Sequence, residues 1–389
     1  MFIKLSQSTE IHYFGGTKTK KLINGCFGSK YTMVDDIEVW RYRKGQRTRR
    51  SVVLSLAGLG LLSVSGALFL SSGRPDSGID FPIQNINPTG KVVWHPSYAM
   101  PWFNNLQRLS QDIMARGHAV NIMRFPELSR SLVDRSMVSG EDFILTKPAS
   151  EADLMLVHSS DYIAEVSVLA EHRKDHLNPH LLDFIFASVG GTYETAKQAL
   201  ENGAAVNLAG GYHHAFPDRE EGFCFFNDVA VAIEKLREEG LVKKVMIVDL
   251  DVHHGNGNAS IYQSDRDIVI FDMFQGDIYP STKYDVEFPI KLRAGTDDSS
   301  YLSVLSQLSG ALTRVEPDIV FYLAGADPYK EDMLGGLSLT KEGLKKRDAY
   351  VLGELSTRNI PAVVVLGGGY SPLEDLVEIN RNTVQLVVN

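Results

Sequence analysis

The chain has 389 residues, 44% hydrophobic and 22% charged, an ordinary globular composition long enough to bury a large core. Its formal net charge of −9 excludes a general nucleic-acid binder, which needs a basic face against phosphates. Cys26 and Cys224 are the two cysteines and lie far apart, which excludes a disulfide framework and a thiolate metal site, so any metal must be held by His and Asp.

In chain order, residues 1–50 are a tail without clear period, basic at its end through Arg41, Arg43, Lys44, Arg47, Arg49 and Arg50. Residues 51–72 carry no charge. At about 1.5 Å rise per residue, about 22 residues span about 33 Å, enough for a bilayer core of about 30 Å. Only Arg74 follows closely, so the positive-inside rule places the N-terminus in the cytoplasm and the rest across the membrane. The stretch Thr48-Arg49-Arg50-Ser51-Val52-Val53 also resembles a twin-arginine export signal. The long preceding tail and the lack of a small-x-small cleavage site favour an uncleaved single-pass anchor over a cleaved signal. Residues 73–90, rich in Ser, Gly, Pro and Asn, read as a linker. The expectation is a membrane-anchored or exported protein with residues 91–389 on the non-cytoplasmic side.

From Lys91 onward, short apolar runs alternate with helical patterns. The strand-like runs are KVVW from Lys91, AAVNLA from Ala204, KVMIVDL from Lys244, DIVIF from Asp267, DIVFYLA from Asp318 and AVVVLG from Ala362. Helical patterns cover 101–117, 194–203, 226–240 and 340–359, the last two stopping at Gly240 and Asn359. This alternation predicts an α/β fold, a doubly wound parallel sheet in three layers, in which ligands bind beyond the carboxyl ends of the strands.

Four strand ends carry chemistry. Ala204–Ala209 runs into Gly210-Gly211-Tyr212-His213-His214, and Lys244–Leu250 delivers Asp249, Asp251 and His253. Asp318–Ala324 precedes Gly325-Ala326-Asp327, and Ala362–Leu366 precedes Gly367-Gly368-Gly369-Tyr370. In extended chain Asp251 and His253 point to the same side and can share one ion, with Asp327 as the natural third ligand. Two carboxylates and one imidazole suit Zn²⁺ or a harder ion such as Fe²⁺ or Mn²⁺. A lone Asp-x-His pair is more often a helix cap; the cluster around it tips the balance toward a metal. One of His213 and His214 could exchange a proton with the reacting water, and Tyr370 could stabilise an oxyanion opposite the metal. Cys224 reads as a small buried hydrophobe, and His158 as a satisfied structural histidine.

The segments GGYHHAFPDREEGFCFFNDVAVA, VDLDVHHGNG, AGADPYKEDMLGGLSLT and LGGGYS together resemble the zinc-dependent histone deacetylase family, with its arginase/deacetylase-like fold. The likeness covers about residues 91–389, and MFQGDIYP, GTDDSSYL and LGGLSLTKEGLKKRD look most like the class IV branch. The resemblance implies zinc ligands at Asp251, His253 and Asp327. It implies tandem histidines at His213 and His214, His214 being the general base, and Asp249 orienting His213. Tyr370 would stabilise the oxyanion, while Gly222, Phe223, Tyr279 and Leu334 would line the channel for a lysine stem. Two positions depart from the commonest family pattern. Asn256 stands where an aspartate backs the second histidine, so His214 should hold its proton less tightly. IVIFDMF lacks the hydroxyl that helps hold a structural K⁺, which leaves that ion open.

The expected function is a metal-dependent deacylase that hydrolyses an N-acyl-lysine amide, acetyl or long fatty acyl, by a metal-activated water. A hydrolase of a small acylated amine such as an acetylpolyamine is the alternative, and a non-catalytic acyl-lysine binder the third reading.

Overall fold

The apolar runs pair into one sheet of eight strands. They are β1 (Lys91–Trp94), β2 (Phe143–Leu145), β3 (Ala204–Asn207), β4 (Val245–Asp249), β5 (Ile268–Gln275), β6 (Phe288–Leu292), β7 (Ile319–Leu323) and β8 (Ala362–Val365). Their order is β2-β1-β3-β8-β7-β4-β5-β6, and every neighbouring pair is parallel. The computed structural model describes residues 90–99, 122–172 and 179–388. The expected tail, the membrane segment 51–72, nearly all of the linker and the helix over 101–117 lie outside the described residues. Among the described residues, no helix is long and apolar enough to cross a membrane.

Side chains alternate across each strand, so both faces of the sheet are buried. In β4, Met246 and Val248 join one core together with Val206, Phe271, Tyr322 and Val364. Val245 and Ile247 join the other, with Phe321, Val363 and Val365. Full burial of each such side chain contributes about 1.5–3 kcal/mol. Helix Asp228–Glu238 covers the second face through Val229, Ile233 and Leu236. Helices Lys341–Thr357 and Leu373–Val388 cover the first through Leu344, Val351, Ile379 and Val384. The two expected helix stops hold: Gly240 and Asn359 both adopt positive φ, at 70° and 54°.

All six expected strands are present. The two that the apolar pattern missed are the sheet's edges. β2 has only three residues, and β6 contains Pro289, which an edge strand tolerates because one side of its backbone needs no partner.

A buried histidine ties this frame to the loops above it. His158, 2% exposed, donates from Nδ1 to the Phe216 carbonyl and accepts at Nε2 from the Asn227 N–H. Asn227 in turn caps helix Asp228–Glu238 through the Ala230 N–H. Burial lowers the His158 pKa to about 4 from an ordinary 6.5. The unfolded chain therefore binds the proton first as pH falls, and this group's contribution is full above about pH 6.5 and lost toward pH 4. The size is about 3 kcal/mol. The stability gap between wild type and His158→Gln, read by urea unfolding, should shrink across that window. A constant gap would count against this assignment.

Candidate metal centre

The carboxyl ends of β3, β8, β7 and β4, four consecutive strands, open onto one site. Asp251 and His253 follow β4 and Asp327 follows β7. One ligand-type atom from each lies within 4.8 Å of the other two, and all three residues are buried. His253 Nδ1 sits 3.0 Å from Asp251 Oδ1 and 3.2 Å from Asp327 Oδ2. Backbone amides fix the carboxylates: Gly368 N–H donates to Asp251 Oδ2 at 2.7 Å, and Val252 N–H to Asp327 Oδ1 at 2.9 Å. Below them, buried Arg347 donates to the Gly325 and Leu250 carbonyls, bracing both strand ends.

The donor set fits a divalent cation. Burial pushes the His253 imidazole down, but Asp251 and Asp327 outweigh it and raise it to about 10. Burial, then the neighbouring Asp251 charge, raises Asp327 to about 8. Two carboxylates crowded out of water in this way need positive charge between them, and a metal ion supplies it in place of a proton. Space is reserved as well. A Cβ on Gly368 would lie 2.2 Å from Asp327 Oδ2 and 2.6 Å from Asp251 Oδ2, so only glycine permits this approach.

The tandem histidines after β3 stand beside this cluster. His213 Nδ1 donates to Asp249 Oδ2 at 2.7 Å, and its Nε2 lies 3.1 Å from His214 Nε2. His214 Nδ1 lies 2.6 Å from Asn256 Oδ1. The two rings titrate apart. Burial opposes protonation of His213, but the charges of Asp249 and Asp251 raise it to about 9. Burial, then the positive charges of His213 and His253, holds His214 well below 6.5. The low affinity expected of His214 is present, yet burial causes it; the Asn256 hydrogen bond acts the other way.

Aromatic rings enclose the cluster. Tyr279 lies edge-on to His214 at 5.0 Å and to His253 at 6.1 Å, and Tyr370 lies edge-on to His253 at 6.0 Å. Phe223, 57% exposed, is 6.3 Å from Tyr370. Burial, then Asp251 and Asp327, pushes the Tyr370 phenol well above 10, which keeps it protonated. Gly222 packs against His214, where a Cβ would lie 2.4 Å from the ring. Leu334 is half-buried in a loop whose 334 and 335 amides donate to Asp332. The candidate ligand, proton-transfer and channel residues named from the sequence therefore collect at one end of the sheet.

Other residues of the site stand within the quoted segments without a role assigned there. Asp332 also accepts the Tyr370 N–H at 2.7 Å, so it ties the Leu334 loop to Tyr370. Asp228 accepts the Gly211 and Tyr212 amides before the histidines. Glu221 contacts Asn256 and Tyr279. Asp272 faces His254 Nδ1 at 2.6 Å and accepts the Gly255 N–H. Cys224 is buried, and burial raises its thiol, as suits a packing residue rather than a nucleophile.

A parallel sheet with a buried Asp-His-Asp cluster at its carboxyl end places the chain among α/β proteins of deacetylase-like architecture. The model of the histone deacetylase domain matches residues 118–387, and the chain belongs to that family. An uncharacterized protein of Picosynechococcus sp. is 35% identical over 294 residues, covering 74% of this chain and 94% of its own. Histone deacetylase 2 of Arabidopsis thaliana is 29% identical over 307 residues, covering 75% and 76%. The fold is similar to the crystal structure of a histone deacetylase homologue from Aquifex aeolicus, with a TM-score of 0.63, 24% identity, and 76% and 82% of the chains covered.

Proposed function

We propose that the protein is a metal-dependent deacylase that hydrolyses the amide of an N-acyl-lysine. The observation that carries this reading is the buried Asp251, His253 and Asp327 triad with a neutral imidazole and a protonated phenol beside it. Held by those three residues, Zn²⁺ (or Fe²⁺) would polarise the amide carbonyl and a water.

The chain's own groups do the rest. His214 is neutral, so it takes the proton of the attacking water and later hands it to the leaving lysine amine. His213, kept charged by Asp249, holds positive charge beside the site. Tyr370 donates its phenol hydrogen to the developing oxyanion. Phe223 and Tyr279 flank the lysine stem, with Gly222 and Leu334 completing the lining. The outward-facing apolar side chains at Phe223 and Met333, 57% and 41% exposed, suit an acyl-lysine peptide better than a small polycation.

The class IV likeness further favours a long acyl chain. The metal-loaded protein, given acetyl-lysine and myristoyl-lysine peptides and an acetylated polyamine, should turn over the myristoyl peptide fastest. An acetyl preference removes the long-chain reading. A polyamine preference replaces the peptide substrate with a small amine. Stoichiometric metal without turnover of any of them refutes the deacylase.

A further inference from the structure

Glu221 stands in the segment that follows the tandem histidines but has none of the roles assigned above, yet its carboxylate meets two residues of the site. Asn256 Nδ2 donates to Glu221 Oε1 at 2.9 Å, and the Tyr279 hydroxyl donates to the same oxygen at 2.9 Å. Arg219 Nη2 stands 4.0 Å from the other oxygen. The backbone fixes where this carboxylate sits. Glu221 and Cys224 exchange two hydrogen bonds, 2.9 and 3.2 Å, around a two-residue turn. Both central residues have positive φ, Gly222 at 56° and Phe223 at 67°, the geometry of a tight hairpin. For Phe223 that conformation is strained.

The hydrogen-bond direction has a chemical consequence. An ionised carboxylate only accepts, so the Asn256 NH₂ must face Glu221 and its Oδ1 must face His214. An amide oxygen only accepts as well, so His214 Nδ1 must carry the proton. Its Nε2 then keeps the lone pair on the side of the site. His213, held charged by Asp249, points its Nε2–H at His214 Nε2 3.1 Å away and favours this same tautomer. Without Glu221, the Asn256 amide can turn over and offer NH₂ to His214, which opposes it and favours the tautomer with no lone pair at Nε2.

We propose that Glu221 is a positioning residue for the general base. Acting through Asn256, its carboxylate fixes the His214 tautomer and supplies the negative charge that the amide behind His214 lacks. This rests on the deacylase reading for His214's role.

The test pairs Glu221 variants with a change at Asn256. Glu221→Gln keeps the shape and an accepting oxygen but removes the charge, and it should lower kcat about tenfold with KM within about twofold. Asn256→Asp puts a carboxylate directly against His214. In that background Glu221→Gln should cause no loss, because the two carboxylates would otherwise repel. A role in merely holding the turn predicts equal losses in both backgrounds, and that result, or wild-type kcat for Glu221→Gln, would overturn the proposal. A second readout needs no activity. In ¹⁵N-histidine NMR of metal-free protein, the His214 signal, identified by its loss in His214→Asn, should show protonated Nδ1 in wild type. It should show mixed tautomers in Glu221→Ala. The same tautomer in both proteins would overturn the proposal even if no substrate were turned over, whereas the shift without turnover would fault only the deacylase reading.

Discussion

Replacing Tyr370 by Phe should lower kcat by roughly 10²–10³-fold, the usual effect of removing one donor to a developing oxyanion, and leave KM within about threefold. The asymmetry follows from the geometry. The ring contacts with His253 and Phe223 involve the aromatic body, which Phe retains. The backbone is held independently, since the Tyr370 amide is bound by Asp332. Only the hydroxyl hydrogen is lost, and burial beside two carboxylates is what keeps that hydrogen in place in the parent protein. Steady-state kinetics on the preferred acyl-lysine peptide reads the split. A kcat within about threefold of the parent would remove Tyr370 from the reaction.

The second large effect concerns the cluster itself. Asp327→Asn preserves the acceptor for the Val252 amide and so should fold, but it replaces a charged ligand by a neutral one. Metal content of the purified variant should fall far below one equivalent, and turnover by at least about 10³-fold. Thermal unfolding gives an independent measure. A ligand that binds only the native state at about 1,000 times its Kd stabilises by about 4 kcal/mol, so added Zn²⁺ should raise the wild-type midpoint and leave the variant's unchanged. A variant that retains one tightly bound metal and full activity would refute the assignment of Asp327.

Much of this was legible in the sequence because strand ends announce themselves. In β4 an all-apolar run stops at Asp249, and the polar residues that follow cannot belong to the core. The same break marks His213, Asp327 and Tyr370. Period and composition locate such transitions without knowledge of the partner strand. The order of the strands was not legible, because each of these buried strands is apolar on both faces and nothing local says which neighbour it takes. Glu221 and Asp332 escaped for a related reason. Each sits in a run of charges, Arg219-Glu220-Glu221 or Lys330-Glu331-Asp332, that reads as a solvated turn. Their partners lie far along the chain, at Asn256, Tyr279 and Tyr370, so only the folded arrangement separates them from the charges beside them. The edge strand β6 failed differently, since Pro289 interrupts the pattern that would reveal it.

The strand order also bears on how the molecule is made. β3 and β4 follow one another in the chain, but in the sheet they are separated by β8 and β7, which come from its last third. A nascent polypeptide that has emerged only as far as Leu292 holds His214 and Asp251 on two half-sheets with a two-strand gap between them. The facing margins of β3 and β4 are bare until residue 365 leaves the ribosome, and such margins recruit other chains. Completion of the reactive centre and closure of the vulnerable gap are thus one late event in biosynthesis, and a chain stopped short of β8 would be both inert and adhesive.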